Sequence, residues 1–309
     1  MSRSFLSVAD VSKQELENIL TKGKTLKGQL RHPDNPTKLS SLEKRVVGLL
    51  FEKPSTRTRT GFEVAVLRLG GEAVYLPSSE LQLSRGEPIK DTARMFGGYL
   101  DCLVARVYKH DTVVQLSKYS GLPVINALSD LEHPTQTICD FLTVMEAKGK
   151  LEGLKLAFIG DGNNVCNSLL LGCATAGMNM SVACPKGYDP DAAILQKANV
   201  IGKGTGVTLS LVREPKIAVE DADILYTDVW VSMGEEKERQ KRMKAFRKYQ
   251  INAGLLRAAK SDAVVMHCLP AHRGLEITDD VIEGKQSIAW SQGENKLYGA
   301  AAILDFLLT

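Results

Sequence analysis

The sequence has 309 residues and a formal net charge of +3, with 44% hydrophobic and 24% charged residues. This length allows about two domains with cores of their own, and the small net charge argues against a nucleic-acid-binding surface. No apolar run approaches the ~20 residues of a membrane span, and no apolar leader follows the first residues. Six cysteines without a Cys-x-x-Cys pair favour reduced thiols. We therefore expect a cytoplasmic protein with no metal site and no nucleic-acid or membrane partner.

The first half of the chain alternates short apolar runs with helical patterns. A capping-box pattern from Ser12 to Glu15 begins the first predicted helix. Apolar runs then predict strands at residues 46–50, 73–76, 102–105 and 123–126. This alternation indicates a parallel sheet with right-handed crossovers, in which ligands gather at the carboxyl ends of the strands. The end of the first strand and Arg106, at the end of the third, therefore belong to one edge of the predicted sheet.

A dense set of hydrogen-bond donors follows the first predicted strand, in the sequence FEKPSTRTRTGF that starts at Phe51. Ser55 is the predicted N-cap of the next helix. Free backbone N–H groups and the positive end of the helix dipole normally disfavour cations in a first turn. Arg59 has a partner four residues on, Glu63, whereas Arg57 has none nearby. Hydroxyl, guanidinium and N–H donors together predict a phosphate site in preference to a plain solvated helix cap.

A second alternation follows residues 148–150. In this second alternation, strands are predicted at 156–159, 180–183, 207–209, 224–227 and 263–266. Helices are predicted at 165–176 and 297–308. We predict an α/β protein with two domains, each a parallel sheet flanked by helices, joined by interdomain helices. The first domain would span residues 1–149, completed by the C-terminal helix at 297–309, and the second residues 150–296.

The polar segment at residues 235–248 is rich in Glu, Lys and Arg. Met243 and Phe246 alone offer large apolar side chains to hold it against a core. The pattern predicts a solvated helix, and its position also suggests a mobile lid.

The turn GDGNN starts at Gly160, directly after a predicted strand, and invites a dinucleotide-binding interpretation. Two features argue against it. The third glycine position is Val165, and the next strand ends at Cys184 where a ribose-binding acid is expected. A tight turn with asparagine side chains available to a small polar ligand fits better, although a plain glycine turn is equally consistent.

Reactive side chains stand at the ends of other elements. His133 precedes a proline at a helix start and fits a structural cap as well as a catalytic group. Asp228 directly follows a strand and fits either a helix cap or a ligand for an ammonium group. His267 and Cys268 end a buried strand, but neighbours on a strand point to opposite faces, which argues against a Cys–His dyad. The proline that follows at position 270 favours a cis peptide bond.

Taken together, these segments resemble the aspartate/ornithine carbamoyltransferase family over nearly the whole chain. The motifs are FEKPSTRTR at residues 51–59, DTAR at 91–94, LVARVY around Arg106, HPTQ at 133–136, GDGNN at 160–164, DVWVSMG at 228–234 and HCLP at 267–270. Each motif is weak alone, but coincidence across all of them is negligible. The resemblance implies carbamoyl transfer from carbamoyl phosphate to the δ-amine of L-ornithine, which gives L-citrulline and phosphate. It places the reaction in arginine metabolism, in either direction, and calls for no metal or organic cofactor.

The resemblance also implies a role for each matching residue. Thr58, Arg106 and His133 would face the carbonyl oxygen of carbamoyl phosphate, and Cys268 would lie beside the reacting amine, so these four form the implied catalytic set. The implied contacts to carbamoyl phosphate come from Ser55, Thr56, Arg57, Thr58, Gln82, Arg106, His133, Gln136, Cys268, Leu269 and Lys296. The implied contacts to ornithine come from Asn164, Asp228, Ser232 and Met233.

Two of these positions raise further expectations. Gln82, in the polar loop between the second strand and the next helix, would reach into a neighbouring subunit's site. That implies a homo-oligomer, a trimer or a multiple of trimers, with shared active sites. Lys296 stands where the family usually has an arginine, and lysine keeps the charge but loses the two-pronged fork.

Other functions stay open on the residues alone. The acceptor amine could be putrescine, an N-acylated ornithine or aspartate, although Asp228 with the following Ser-Met-Gly favours a free α-amino acid. A non-catalytic binder of carbamoyl phosphate would not need His133, Gln136 and Cys268. A nucleotide-binding oxidoreductase is disfavoured by the altered glycine fingerprint.

Overall fold

The computed structural model describes residues 2–31, 39–231 and 236–309. The chain divides into two compact units: the first unit is Met1–Leu142 with Glu294–Thr309, and the second unit is Thr143–Gly293. The strands are β1 (Val46–Phe51), β2 (Glu72–Pro77), β3 (Cys102–Arg106), β4 (Val124–Leu128), β5 (Lys155–Ile159), β6 (Asn179–Ala183), β7 (Leu209–Val212), β8 (Ile224–Thr227) and β9 (Val264–His267). The α-helices are α1 (Lys13–Leu30), α2 (Arg57–Arg68), α3 (Ile89–Gly97), α4 (His110–Ser120), α5 (Pro134–Lys148), α6 (Asn164–Ala176), α7 (Ala192–Thr205), α8 (Pro215–Val219), α9 (Arg239–Phe246), α10 (Ala253–Leu256), α11 (Asp279–Ile282) and α12 (Ala289–Leu308).

The first unit contains a parallel sheet with strand order β2-β1-β3-β4. Phe51, the last residue of β1, lies opposite Arg106, the last residue of β3. The loop after β1 and the Arg106 side chain therefore start from the same edge of the sheet, as predicted. Apolar side chains from β1, β3, β4, α3 and α4 form the core on one face of this sheet.

The second unit contains a parallel sheet with strand order β7-β6-β5-β8-β9. Its strands pack against a core that includes the aromatic side chains of Trp230, Phe246 and Tyr249. Two parallel sheets flanked by helices confirm the predicted fold class. Helices α5 and α12 each have residues in both units, as predicted for interdomain helices.

Two predicted elements differ from the structure. The strand predicted at 207–209 begins at Leu209, because the Val207 N–H donates to the Gly202 carbonyl and closes the end of α7. The last helix begins at Ala289, eight residues before the predicted start. Its first turns carry buried polar side chains such as Gln292, which bonds the His267 N–H, so they show no apolar pattern in the sequence.

All six cysteines are buried and free, which confirms the expectation of unpaired thiols. Within the described residues, no helix combines the length and the apolar character that crossing a membrane requires.

Candidate active site

The start of α2 presents the predicted phosphate site. The helix begins at Arg57, and the residue before it, Thr56, has helical backbone angles and makes no side-chain cap. The prediction of Ser55 as N-cap was therefore wrong. A capping side chain folds back from an extended residue, and the residue that precedes this helix is helical instead. Among the described residues, no side chain caps this helix start, which leaves its first N–H groups open to a ligand.

The two arginines of the first turn lie in different environments. Arg59 pairs with Glu63 at 3.6 Å and stacks over the Tyr75 ring at 3.6 Å, so its predicted local partner is confirmed. Within the described part of the chain, no group bonds to the Arg57 guanidinium. Arg57 is half-buried, and it is the cation of this turn that stays available to an anion.

Arg106 is fixed at the end of β3. The Glu52 N–H donates to the Arg106 carbonyl at 2.8 Å, and the Glu52 carboxylate accepts the Tyr108 N–H at 2.6 Å. The side chain of Arg106 is itself buried. A buried guanidinium at the carboxyl edge of a parallel sheet is well placed to bind an anionic or carbonyl oxygen.

His133, directly before α5, is a buried neutral imidazole. Burial, followed by the positive charges of Arg106 and Lys296, lowers the pKa of His133 well below its usual 6.5. Its Nδ1 lies 3.3 Å from the Thr135 hydroxyl, which can donate to it. In that tautomer the single N–H of the ring is on Nε2, where it can donate to a carbonyl oxygen.

Gln136, on the first turn of α5, has one half of its amide engaged. Its Nε2 donates to the Asp140 carboxylate at 2.7 Å, and because a carboxylate only accepts, the amide orientation is fixed. Its buried Oε1 has no hydrogen-bond partner among the described residues. A buried carbonyl oxygen in this state is a ready acceptor for an N–H₂ group.

His133 and Gln136 line one small cavity of about 10 Å³, room for about one water molecule. Its lining residues are Thr58, Phe62, His133, Thr135, Gln136, Cys139, Lys296 and Ala300. Lys296 contributes a buried ammonium group from α12. We call the start of α2 together with Arg106 and this cavity the first-unit site.

Gln82 lies elsewhere in the first unit, on the single 3-10 turn Gln82–Arg85. It is exposed, and it is not among the residues that line the cavity.

In the second unit, the GDGNN turn holds Asn163 and Asn164 at the start of α6. The Asn163 Oδ1 accepts the N–H groups of Val165 and Cys166, which caps α6, and its Nδ2 donates to the Asp228 carboxylate at 2.8 Å. The prediction that both asparagines are available to a ligand is therefore corrected, because the amide of Asn163 is used within the protein. Asn164 is the half-buried first residue of the helix.

Asp228 and Cys268 come together at the carboxyl edge of the second sheet. The Cys268 Sγ donates to the Asp228 carboxylate at 2.9 Å, and the Val229 N–H donates to the same oxygen at 2.8 Å. Leu269 has a positive φ of 59° and is followed by a cis bond to Pro270, which confirms the predicted cis peptide. We use the name second-unit site for the GDGNN turn together with Asp228 and residues 268–269.

His267 adds a third potential metal ligand, since ligand atoms of Asp228, His267 and Cys268 lie within 4.8 Å of one another. Both of its ring nitrogens are already engaged, however. The Leu269 N–H donates to Nδ1 at 2.9 Å, and Nε2 lies 3.0 Å from the buried Glu276 carboxylate. The imidazole therefore supports the backbone of residues 267–269, and the cluster fits a metal ion poorly.

Two predicted ligands of ornithine, Ser232 and Met233, lie outside the described residues. The segment that follows them was predicted to be held only by Met243 and Phe246, and this was wrong. Arg242 is also buried and pairs with Asp161 at 2.7 Å. No local signal distinguishes this arginine from its exposed neighbours, although its spacing of four residues from Phe246 places both on one helix face.

Comparison with known proteins agrees with this arrangement. Residues 3–146 match the aspartate/ornithine carbamoyltransferase, carbamoyl-P binding domain, and residues 152–307 match the Asp/Orn binding domain of the same enzymes. The chain belongs to the aspartate/ornithine carbamoyltransferase family.

Relatives in this family are similar over nearly their full length. An ornithine carbamoyltransferase of Methanosarcina acetivorans is 51% identical over 304 residues, which cover 98% of each chain. One of Archaeoglobus fulgidus is 50% identical and covers 99% of this chain and 97% of its own. The solved structure of the ornithine carbamoyltransferase from Pyrococcus furiosus is 44% identical, with a TM-score of 0.95 over 99% of this chain and 97% of that chain.

Proposed function

We propose that the protein transfers the carbamoyl group of carbamoyl phosphate to the δ-amine of L-ornithine and releases L-citrulline and phosphate. The observation that carries the proposal is that three residues line one small cavity: His133, whose imidazole is neutral, Gln136, whose Oε1 has no partner among the described residues, and the cationic Lys296. The family and the ornithine-specific names of its relatives support the choice of acceptor.

The phosphate of carbamoyl phosphate would bind at the start of α2. The backbone N–H groups there have no side-chain cap, Ser55, Thr56 and Thr58 add hydroxyls, and Arg57 adds a guanidinium without a partner among the described residues. Phosphate oxygens favour such a helix start because the dipole and the N–H groups act together. The same groups would stabilise the negative charge that builds up on phosphate as it leaves.

The carbamoyl half needs donors for its carbonyl oxygen and an acceptor for its amide. Thr58, Arg106 and His133 can donate to the oxygen, and the Gln136 Oε1 can accept from the N–H₂ group. When the amine nitrogen attacks, the carbonyl oxygen becomes an oxyanion, and preorganised donors stabilise that charge. Lys296 would add a positive charge beside the same ligand.

The amino acid would bind at the second-unit site. The Asp228 carboxylate can hold the α-ammonium group, and Asn164, Ser232 and Met233 are proposed to bind the rest of the amino-acid head group. Cys268 and the Leu269 carbonyl would lie beside the reacting amine and accept hydrogen bonds from its N–H groups. The amine must be neutral to attack, and with a pKa near 10.4 only about one molecule in a few thousand is neutral in water at pH 7.

An acceptor panel tests the proposal. The protein is incubated with carbamoyl phosphate and, in turn, ornithine, putrescine, N-acetylornithine and aspartate, and the carbamoylated amine and phosphate are both measured. We expect equal amounts of citrulline and phosphate with ornithine and little product with the other amines. A higher kcat/KM for another amine would contradict the acceptor, and phosphate without carbamoylated product would contradict the reaction.

We also propose a homotrimer, or a multiple of trimers, in which Gln82 reaches the neighbouring subunit's site. Its exposed position outside the cavity of its own unit supports this. Gln82→Ala and Arg57→Met should each be impaired at subsaturating carbamoyl phosphate. Their mixed subunits should regain activity under that condition, because some sites then combine two intact halves. Absence of regained activity in mixed oligomers would contradict a shared site.

We propose the cytoplasm as the compartment, since all six cysteines are free and buried and a reducing environment keeps them so. The reaction would belong to arginine metabolism.

A further inference from the structure

Arg242 differs from the other cations of α9. Its exposed neighbours include Arg239 and Lys244, yet the Arg242 side chain is only 8% exposed. Its Nη1 donates to the Asp161 carboxylate at 2.7 Å and to the Trp230 carbonyl at 3.1 Å. Burial at this level requires a specific partner, because an unpaired guanidinium is costly to remove from water.

Besides Glu238, which lies 3.7 Å away just before α9, Arg242 has partners in three different loops. Asp161 follows β5, Trp230 follows β8, and Tyr188, whose ring centre lies 5.0 Å from the guanidinium carbon, follows β6. Strands β6, β5 and β8 are consecutive in the sheet. A single side chain of α9 therefore joins three neighbouring loops at the carboxyl edge of the second sheet.

Two of these loops carry the second-unit site. Asn163 comes two residues after Asp161, and Asp228 comes two residues before Trp230. The Asn163 amide and the Asp228 carboxylate are themselves hydrogen-bonded at 2.8 Å. Arg242 therefore donates one hydrogen bond to each of the two loops that carry Asn163 and Asp228. These bonds help to fix the position of Asp228.

The aromatic surroundings keep this arrangement rigid. Phe246, one helical turn after Arg242, packs edge-on against Tyr188 at 4.7 Å and stacks near Trp230 at 6.1 Å. The ion pair lies beside these packed rings, and its side chains are only 8% exposed for Arg242 and 10% exposed for Asp161.

We propose that Arg242 is a positioning residue for the amino-acid acceptor: through Asp161 and Trp230 it holds the loops that place Asp228 and Asn163. This inference rests on the proposed function, because it assigns the acceptor to the second-unit site. Loss of Arg242 weakens acceptor binding and leaves carbamoyl phosphate binding intact, since the contacts proposed for the phosphate and the carbonyl group belong to the first unit.

The test separates positioning from stability with a matched control. Arg242→Met and Asp161→Asn break the buried ion pair. Arg242→Lys keeps a charge but replaces the planar guanidinium, whose Nη1 donates to both acceptors, with a shorter ammonium group. The control is Lys260→Met, which breaks the 2.7 Å pair between Lys260 and Asp223 in the same unit. Asp223 directly precedes β8, so this pair lies at the opposite edge of the same sheet.

The KM values for ornithine and for carbamoyl phosphate and the melting temperature are measured for each variant. We expect Arg242→Met to raise the KM for ornithine about tenfold, equivalent to about 1.4 kcal/mol. Arg242→Lys and Asp161→Asn should give smaller increases, and all three should leave the KM for carbamoyl phosphate near that of the wild type. Lys260→Met should lower the melting temperature without a change in either KM.

An unchanged KM for ornithine in all three site variants would overturn the proposal, as would an equal increase in Lys260→Met. If Arg242→Met does not fold, the test uses Arg242→Lys and Asp161→Asn instead. If the wild-type protein does not carbamoylate ornithine, the proposed function itself is overturned. The wild-type assay shows this before any variant is compared.

Discussion

Arg57 and Arg59 show how two identical side chains in one helical turn take different roles. Arg59 is held by Glu63 and the Tyr75 ring, whereas Arg57 has no partner among the described residues. The difference follows from helix geometry, since residues two apart point to nearly opposite sides. We therefore propose that Arg57 binds phosphate and that Arg59 has a structural role.

Substitution of the two arginines tests this assignment. A hydrogen bond to a charged group contributes about 1.5–3 kcal/mol, so Arg57→Met should raise the KM for carbamoyl phosphate about ten- to hundredfold. Arg59→Met removes an exposed pair of about 0.2–1 kcal/mol and should change that KM less than about fivefold. Steady-state kinetics at saturating ornithine measure both values. Equal effects of the two substitutions would contradict the assignment.

Lys296 is a second residue with a specific prediction. It lines the cavity with His133, and its positive charge contributes to the lowered pKa of that imidazole. Lys296→Met should raise the KM for carbamoyl phosphate about tenfold and raise the pKa of His133 relative to the wild type. Lys296→Arg keeps the charge but changes the donor geometry, so it should shift the same KM by a smaller factor. Wild-type kinetics in both variants would show that this position is silent.

At the scale of elements, both sites use loops at the carboxyl ends of parallel strands. In the second unit the GDGNN turn passes so close to the loop after β6 that a Cβ on Gly162 would lie 2.2 Å from the Pro190 nitrogen. The glycine is needed for this close approach, which also lets Asn163 reach Asp228. Gly162, the second glycine of the pattern that suggested a dinucleotide fingerprint, thus serves backbone packing.

A pair of glycine substitutions tests the close approach. Gly162→Ala should destabilise the protein by about 1–3 kcal/mol, because backbone atoms must move, and it should raise the KM for ornithine. The matched control is Gly204→Ala in α7, where an added Cβ meets no atom within 4 Å. That substitution should stabilise the protein by about 0.5–1 kcal/mol. Urea unfolding measures both free energies, and a neutral Gly162→Ala would contradict the packing argument.

The elements also show what could be predicted from the sequence. Strands such as β3 and β4 were found because buried parallel strands are short apolar runs. The partner of Arg59 was found because it lies four residues away. The burial of Arg242 was missed because its partner, Asp161, is 81 residues distant and the four-residue spacing from Phe246 is a weak local sign. The start of α12 was missed because its first turns bury polar groups such as Gln292 through hydrogen bonds. The locations of the site residues were predictable from strand ends, whereas their partners were set by tertiary contacts.

At the scale of the whole molecule, the two units supply different chemistry. The first unit offers donors and cations for an anionic ligand, and the second offers a buried carboxylate and a thiol for an amine. His133 connects the site with the stability of the protein, because its neutral form is buried.

Acid should therefore weaken the fold through His133. Its pKa is depressed on folding, so below about pH 6.5 the unfolded chain binds a proton that the folded protein does not. Stability should fall as pH drops from 6.5 towards the depressed pKa, by up to about 1.4 kcal/mol per pH unit from this residue. His133→Gln should show a smaller loss between pH 7.5 and pH 5.5 in urea unfolding. Identical slopes for wild type and variant would contradict a depressed pKa.

The most direct test of the proposed chemistry is a crystal structure of the protein with carbamoyl phosphate bound. We expect the phosphate at the start of α2 against Arg57, the carbonyl oxygen towards Arg106 and His133, and the amide against the Gln136 Oε1. Density for the ligand elsewhere, with Arg57 and the cavity unchanged, would contradict the account.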